Sequence, residues 1–175
     1  MEGGDNRHHR PKGKNYNREG KASRDINVFR MPTTLGQRYP VYWGGYPPHM
    51  SPEDLVLWKT YRQNIETGAV SLYFDVGLGG QTDIPPGTSP EMAIMWLRNT
   101  QKRIDVLIET SQDWIITELR HNATSSAVGR LLQYRELWNE DPPDSKPVRL
   151  RLVTDMGDSD LQKLCERVGI EYIKI

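Results

Sequence analysis

The 175-residue sequence has a single cysteine, no long apolar run and a low hydrophobic content of 36%. Cys165 cannot form an intrachain disulfide, which indicates a reducing compartment and excludes a disulfide-stabilised scaffold. No segment reaches the roughly 18 apolar residues of a membrane span, and the N-terminus lacks the apolar core of a signal peptide. We therefore expect a protein that is not secreted and has no membrane partner.

The charges are unevenly distributed along the chain, although the formal net charge is zero. Residues 1–30 hold eight of the 23 Lys/Arg and four of the 23 Asp/Glu, so residues 31–175 hold 15 and 19. Residues 1–30 are also poor in apolar side chains, which predicts disorder in the free protein. The adjacent His8 and His9 lack a third ligand nearby, which favours solvated side chains over a metal site. A basic arm of this kind is either an interaction tail or a solubilising one.

Residues 31–50 are dense in proline, glycine and aromatic residues. Four prolines exclude a long helix here: Pro32, Pro40, Pro47 and Pro48. The aromatic rings could stack on nucleic-acid bases, but burial against the domain is the favoured interpretation. These rings are Tyr39, Tyr42, Trp43 and Tyr46. The chain is thus divided into an extended arm, 1–50, and an α/β domain, 51–175.

Within the domain, helix-start residues and apolar periodicity predict alternating helices and strands. The predicted helices are 51–67, 91–99, 125–139 and 160–168, and the predicted strands outside a central hairpin are 70–78, 148–153 and 170–175. Three facings are specific enough to test. Met92, Met95 and Trp96 are expected to point inward. Val76 is expected to share a face with Leu72 and Phe74, and residues 148–153 are expected to form a half-exposed strand. Gly129 is expected to let its helix approach the sheet closely.

The central hairpin begins at Arg103 and turns through the four-residue loop 110–113. In this register Glu109 faces Trp114, and counting inward places Asp105 across from Glu118. Directly opposed residues share a face of a sheet, as do residues two apart, so Glu118 and Arg120 join Asp105 there. A carboxylate pair beside a cation is the layout of a metal-dependent nuclease site.

This order of elements resembles the PD-(D/E)xK superfamily, as found in compact members encoded by tailed phages. Ile104-Asp105-Val106 matches the first motif, and Glu118-Leu119-Arg120 matches the second. The following helix, with Gly129-x-Leu131-Leu132-x-Tyr134, is also similar. The resemblance covers about residues 51–175. It implies a restriction-endonuclease-like fold, with a mixed central sheet flanked by helices.

The resemblance also implies that Asp105 and Glu118 hold Mg²⁺ or Mn²⁺, which positions a water and stabilises the leaving oxygen. An acid on the preceding helix often adds a ligand, and Glu53 is the preferred candidate. Asp54 and Glu66 are weaker ones. Arg120, in the position of the family's lysine, joins Asp105 and Glu118 as the third catalytic residue if the site is active.

Two arginines depart from the family pattern. Arg120 replaces the lysine, and Arg130 replaces the glutamine four residues before the helix tyrosine, Tyr134. Arginine stays protonated and cannot act as a general base, although it can bind phosphate. Arg103 falls opposite Arg120 in the predicted register, which concentrates positive charge unless carboxylates or phosphate offset it.

Two functional hypotheses follow from this pattern. The preferred one is a phage virion or assembly component of the neck or tail, built on a degenerate nuclease fold, in the virion or the host cytoplasm. Its partners, other virion proteins or copies of itself, would be contacted through residues 1–50. The alternative is an active Mg- or Mn-dependent DNA endonuclease, or a DNA-binding protein, that uses Asp105 and Glu118.

Overall fold

The computed structural model describes residues 28–65 and 68–175, so most of the basic arm, His8, His9 and Glu66 lie outside the described residues. The strands are β1 (Val28–Arg30), β2 (Ala69–Leu78), β3 (Gln81–Asp83), β4 (Lys102–Thr110), β5 (Trp114–Leu119), β6 (Val148–Thr154) and β7 (Ile170–Lys174). The helices are α1 (Pro52–Tyr61), α2 (Pro90–Thr100), α3 (Ser125–Glu140) and α4 (Ser159–Arg167). A single 3-10 turn (Arg62–Asn64) follows α1. No helix of the described ranges is long and apolar enough to cross a membrane.

The central sheet has five strands in the order β2-β4-β5-β6-β7. The first three strands pair antiparallel, and β6 and β7 then add in parallel to β5 and to each other. Each parallel addition follows a crossover helix, α3 or α4, because parallel neighbours need a long connection. The predicted α/β class, with a mixed central sheet flanked by helices, is confirmed.

Two apolar layers sandwich this sheet. On one face, α1 contributes Leu57, Trp58 and Tyr61 to the core. Ile115 and Leu119 of β5 belong to the same core. On the other face, α3 and α4 form a larger core that includes Leu131, Trp138 and the fully buried Cys165. Burial of each large side chain contributes about 1.5–3 kcal/mol to stability. The two layers together therefore hold the sheet between the helices.

The starts of α1, α2 and α4 follow the capping chemistry expected from their sequences, whereas α3 begins without a side-chain cap. Ser51 accepts a hydrogen bond from the Asp54 amide at 3.1 Å, and Asp158 accepts one from the Leu161 amide at 2.7 Å. Both bonds satisfy amides that lack a partner in the first turn. The predicted length of α1 was too great: the helix ends at Tyr61 rather than near residue 67.

Strand β2 reverses its facing at Asp75, and the predicted alternation is wrong beyond that point. Asp75 has a left-handed backbone, with φ of 54°. Consequently Phe74 packs on the α1 side, whereas Val76 packs on the α3 side. The neighbouring strand β4 changes face in the same way between Ile104 and Val106, on either side of Asp105. Sequence alternation assumes regular strand geometry and cannot detect such a kink.

Two other predicted facings are wrong. Met92, Met95 and Trp96 of α2 are exposed by 46, 51 and 37%, and Leu97 is the buried residue of this helix. The helical period was correct, but it does not specify which stripe meets the sheet. Strand β6 is buried from residue 150 onward rather than half-exposed. Its Arg151 is 2% exposed, hydrogen-bonded to the Tyr61 hydroxyl and paired with Glu171 at 2.6 Å.

Residues 30–50 run along the edge of β2. The backbones of Thr34 and Gly77 exchange hydrogen bonds of 2.8 and 2.9 Å, and those of Tyr39 and Leu72 do the same. Strand β1 pairs with β3 to form a separate two-stranded sheet. The Tyr39 and Trp43 rings pack on Phe74, as the burial interpretation predicted, whereas Tyr42 and Tyr46 are exposed by 87 and 60%.

The expected close approach at Gly129 is absent. A Cβ atom built on Gly129 meets nothing within 4 Å among the described residues, so the glycine is not required for helix packing.

We predict that Gly129→Ala raises the free energy of unfolding by about 0.5–1 kcal/mol, because alanine has the higher helix propensity. Urea unfolding monitored by circular dichroism measures the change. Gly169→Ala is the opposing control, since Gly169 ends α4 with φ of 74° and alanine is strained there. A destabilised Gly129→Ala would show that the helix does pack closely at this position.

Candidate functional site

The turn between β4 and β5 fixes the register of the hairpin. The Thr110 hydroxyl donates to the Asp113 carboxylate at 2.6 Å and accepts from the Asp113 amide at 2.9 Å. Glu109 then pairs with Trp114, as predicted. Glu109 is itself held by Ser71 and by Lys146, whose Nζ lies 2.9 Å away. With this end anchored, the far ends of both strands are placed by counting alone.

The ladder ends at the pair of Val106 and Thr117, one step before Asp105 and Glu118. There the Asp105 carboxylate accepts a hydrogen bond of 2.9 Å from the Leu119 amide. The side chain thus takes a donor that could otherwise serve backbone pairing between the two strands. Asp105 and Glu118 therefore meet where the hairpin opens, at the edge of the larger core.

Glu118 is fully buried, with 0% of its side chain exposed. Its Oε1 lies 2.5 Å from Arg120 Nη2 and 3.3 Å from Arg130 Nε. Neither carboxylate oxygen has a well-aligned hydrogen-bond donor among the described residues, so the arginine contacts are ion pairs with poor hydrogen-bond angles. Burial of an ionised carboxylate without such donors is costly, which marks Glu118 as a candidate functional residue.

Arg120 connects Glu118 to two further carboxylates. Its Nη1 lies 3.5 Å from Asp105 Oδ2 and 3.6 Å from Asp54 Oδ2. The upstream acid at the site is therefore Asp54, whereas the preferred candidate, Glu53, is exposed on α1. Both residues lie in the first turn of that helix, and its rotation about its own axis decides which one faces the sheet.

The electrostatics of the cluster favour a bound proton. Burial, together with the neighbouring Asp105, raises the pKa of Glu118 to about 8, although Arg120 and Arg130 act against the shift. Burial also raises the pKa of Asp105, while Arg120 and the Leu119 amide oppose that shift. Two carboxyl groups in one buried site cannot both ionise cheaply, and they titrate as a coupled pair.

The residues do not fit a divalent metal as they are arranged. The donors have the right chemistry, since three carboxylates are the oxygen ligands that Mg²⁺ and Mn²⁺ prefer. However, the Arg120 guanidinium contacts all three, at the place where a shared cation would lie. Within residues 28–65 and 68–175, no group of three or more Asp, Glu, His or Cys side chains has the geometry to hold a metal ion.

The Asp75 carboxylate offsets the positive charge of Arg103, and the sequence prediction missed this role. Arg103 Nη1 lies 3.6 Å from Asp75 Oδ2 and donates to the Asp75 carbonyl at 3.3 Å. Asp75 also lines a small pocket of about 260 Å³ with Asp54 and Asp105. The signal was present in the strand sequence, where a carboxylate interrupts an otherwise apolar run.

A larger cleft lies beside the cluster, between the start of β4 and the outer face of α3. It has a volume of about 650 Å³. Three cations line it, Lys102, Arg103 and Arg130, and no Asp or Glu is among the described residues that do so. The exposed Gly129 leaves its floor free of side-chain bulk. Tyr134 closes one side and donates to the Arg103 carbonyl at 2.6 Å.

Neither a known family model nor a curated protein matches this sequence. A repair endonuclease from Pyrococcus abyssi is 19% identical over 75% of this chain and 49% of its own, with a TM-score of 0.46. EndoMS in a complex with double-stranded DNA is 22% identical over 77% of this chain and 47% of its own, with a TM-score of 0.44. The chain thus spans about half the length of each.

We predict that the raised pKa of Glu118 makes the stability of the protein fall with rising pH. The folded state keeps a proton up to about pH 8 that the unfolded chain releases near its ordinary pKa of 4.5. The free energy of unfolding therefore decreases between these two pH values. Glu118→Gln removes this dependence. The free energy of unfolding of Glu118→Gln, minus that of the wild type, should therefore increase by about 2–4 kcal/mol as the pH rises between these two values.

Urea unfolding in EDTA-containing buffer at several pH values measures this difference. Glu136→Gln is the control, because Glu136 lies on α3 with 74% of its side chain accessible. Parallel pH profiles for wild type and Glu118→Gln would show that Glu118 is ionised in the folded protein.

Proposed function

We propose that this protein binds DNA through the phosphate backbone, using the basic cleft beside the carboxylate cluster. The observation that carries the proposal is the sign of the cleft: Lys102, Arg103 and Arg130 line it, and none of its described lining residues is Asp or Glu. Arg103 and Arg130 also pair with acids that lie outside the cleft lining, Asp75 and Glu118. Residues 31–175 as a whole are net acidic, with 15 Lys/Arg against 19 Asp/Glu, so this concentration of cations is local. Cationic side chains that track phosphates supply most non-specific affinity for DNA.

The shape of the cleft favours a DNA sugar-phosphate backbone over a small anion as its ligand. It is open and about 650 Å³ in volume, and Gly129 and Ser126 leave the surface of α3 low. A sugar-phosphate chain can then approach the helix closely, while polar side chains such as Gln133 contact it. Arg130 is half-exposed and also touches Glu118, so it joins the cleft to the cluster.

Two other functions remain predictions. One is the Mg- or Mn-dependent endonuclease that uses Asp105 and Glu118, which would require a metal to displace Arg120 from these carboxylates. Cleavage of duplex DNA in Mn²⁺ would demonstrate it. The virion or assembly role depends on residues 1–50, most of which lie outside the described residues. It predicts a stable complex with another virion protein or with further copies of this chain.

We predict that Lys102→Gln weakens binding of a fluorescent 20-base-pair duplex several-fold at low salt. Lys102 is exposed in the cleft, and its side chain makes no hydrogen bond or ion pair with the other described residues, so its replacement should not disturb the fold. Because each phosphate contact releases counterions, the variant should also lower the slope of log K against log[salt] by about 1. Fluorescence anisotropy over a salt series measures both quantities.

Lys163→Gln is the matched control, since Lys163 is exposed on α4 and does not line the cleft. The control should keep the wild-type affinity and salt slope. Equal losses in both variants, or no binding by the wild type, would refute the cleft as the DNA-binding surface.

A further inference from the structure

We propose that Arg120 is the permanent cation of the carboxylate cluster and takes the place of the divalent metal that the family resemblance implies. The inference deepens the proposed function, because it assigns to the cluster a metal-free role beside bound DNA. It rests on contacts of one guanidinium with three carboxylates from three separate elements, and not on the family pattern.

The contacts come from α1, β4 and β5. Arg120 Nη2 lies 2.5 Å from Glu118 Oε1, and its Nη1 lies 3.5 Å from Asp105 Oδ2. The same Nη1 lies 3.6 Å from Asp54 Oδ2 and donates to the Leu119 carbonyl at 2.8 Å. The carbonyl bond restrains the guanidinium beside the three carboxylates. A lysine ammonium is a single point charge and could not span the three groups in this way.

Burial makes this cation hard to displace. The Arg120 side chain is 27% exposed, and its strongest partner, Glu118, is fully buried. A guanidinium is always charged and only weakly hydrated, whereas Mg²⁺ gives up its water reluctantly. A metal entering the cluster would have to expel Arg120 and also approach Arg130, 3.3 Å from Glu118 Oε1. Two fixed positive charges thus stand where the metal would bind.

Glu118 shows what the cluster could hold if Arg120 were absent. Both of its oxygens are buried without a well-aligned donor in the described part of the chain. Removal of the guanidinium would leave three carboxylates of suitable chemistry around the vacated position, which is a donor set for a hard divalent cation. Arg120→Gln is therefore expected to create Mn²⁺ binding that the wild type lacks.

The test is Mn²⁺ binding to the DNA-free protein, followed by electron paramagnetic resonance and by calorimetry. Wild type should show no saturable site at millimolar Mn²⁺. Arg120→Gln should bind one Mn²⁺ at least about tenfold more tightly than the wild type does, because a unit charge within about 4 Å of the ion is removed. Glu118→Gln/Arg120→Gln should lose that site again, and circular dichroism verifies the fold of each variant.

The outcomes separate this inference from the proposed function. A wild-type Mn²⁺ site that disappears in Glu118→Gln would overturn the inference, as would Mn²⁺-dependent DNA cleavage that Glu118→Ala abolishes. A folded Arg120→Gln without a Mn²⁺ site would also overturn it. If Arg120→Gln does not fold, Arg120→Met must show the gain instead, since methionine also removes the charge and keeps more of the side-chain volume. Duplex binding that persists in EDTA supports the inference, and failure to bind duplex at all refutes the cleft alone.

Discussion

The fixed register of the β4–β5 hairpin is the constraint on which the candidate site depends. Thr110 and Asp113 close the turn with reciprocal hydrogen bonds, and Glu109 is anchored next to it. A slip of one residue would send every side chain of β5 to the opposite face. Glu118 would then leave the α3 side of the sheet and lose Arg130. The chemistry at one end of the hairpin is thus set by a polar turn at the other.

The kink at Asp75 and Asp105 gives the site its two-sided character. Both residues sit where the strands change face, and they lie opposite each other in the register of β2 and β4. Each carboxylate meets one arginine, Arg103 or Arg120, so that acids and cations alternate across the end of the sheet. The acidic pocket and the basic cleft consequently lie on either side of Arg103, which lines both.

Features encoded locally could be predicted from the sequence, and features that depend on distant packing could not. The register, the helix starts and the order of elements follow from short-range turn and capping chemistry. The buried face predicted for α2 was wrong, because helical spacing does not fix which stripe meets the sheet. For the same reason the sequence could not show that Asp54, rather than Glu53, lies beside Arg120. Arg130 was named from the sequence as a possible phosphate contact, but its place beside Lys102 in the basic cleft was missed because the two residues are far apart in sequence. The reversal at Asp75 depends on a left-handed aspartate that alternation cannot reveal.

The energetic character of the cluster argues that it has a function. A buried carboxylate with two arginines is often no more stable than apolar residues of similar volume, so stability alone gives little reason to keep it. Removing one partner, however, leaves an uncompensated buried charge and is strongly destabilising. With Arg120 as the cation of the cluster, the carboxylates are neutralised without a metal. At the same time Arg130, half-exposed at the edge of the cleft, remains able to contact phosphate. In the proposed DNA-binding role, the acids position the arginines and the arginines face the nucleic acid.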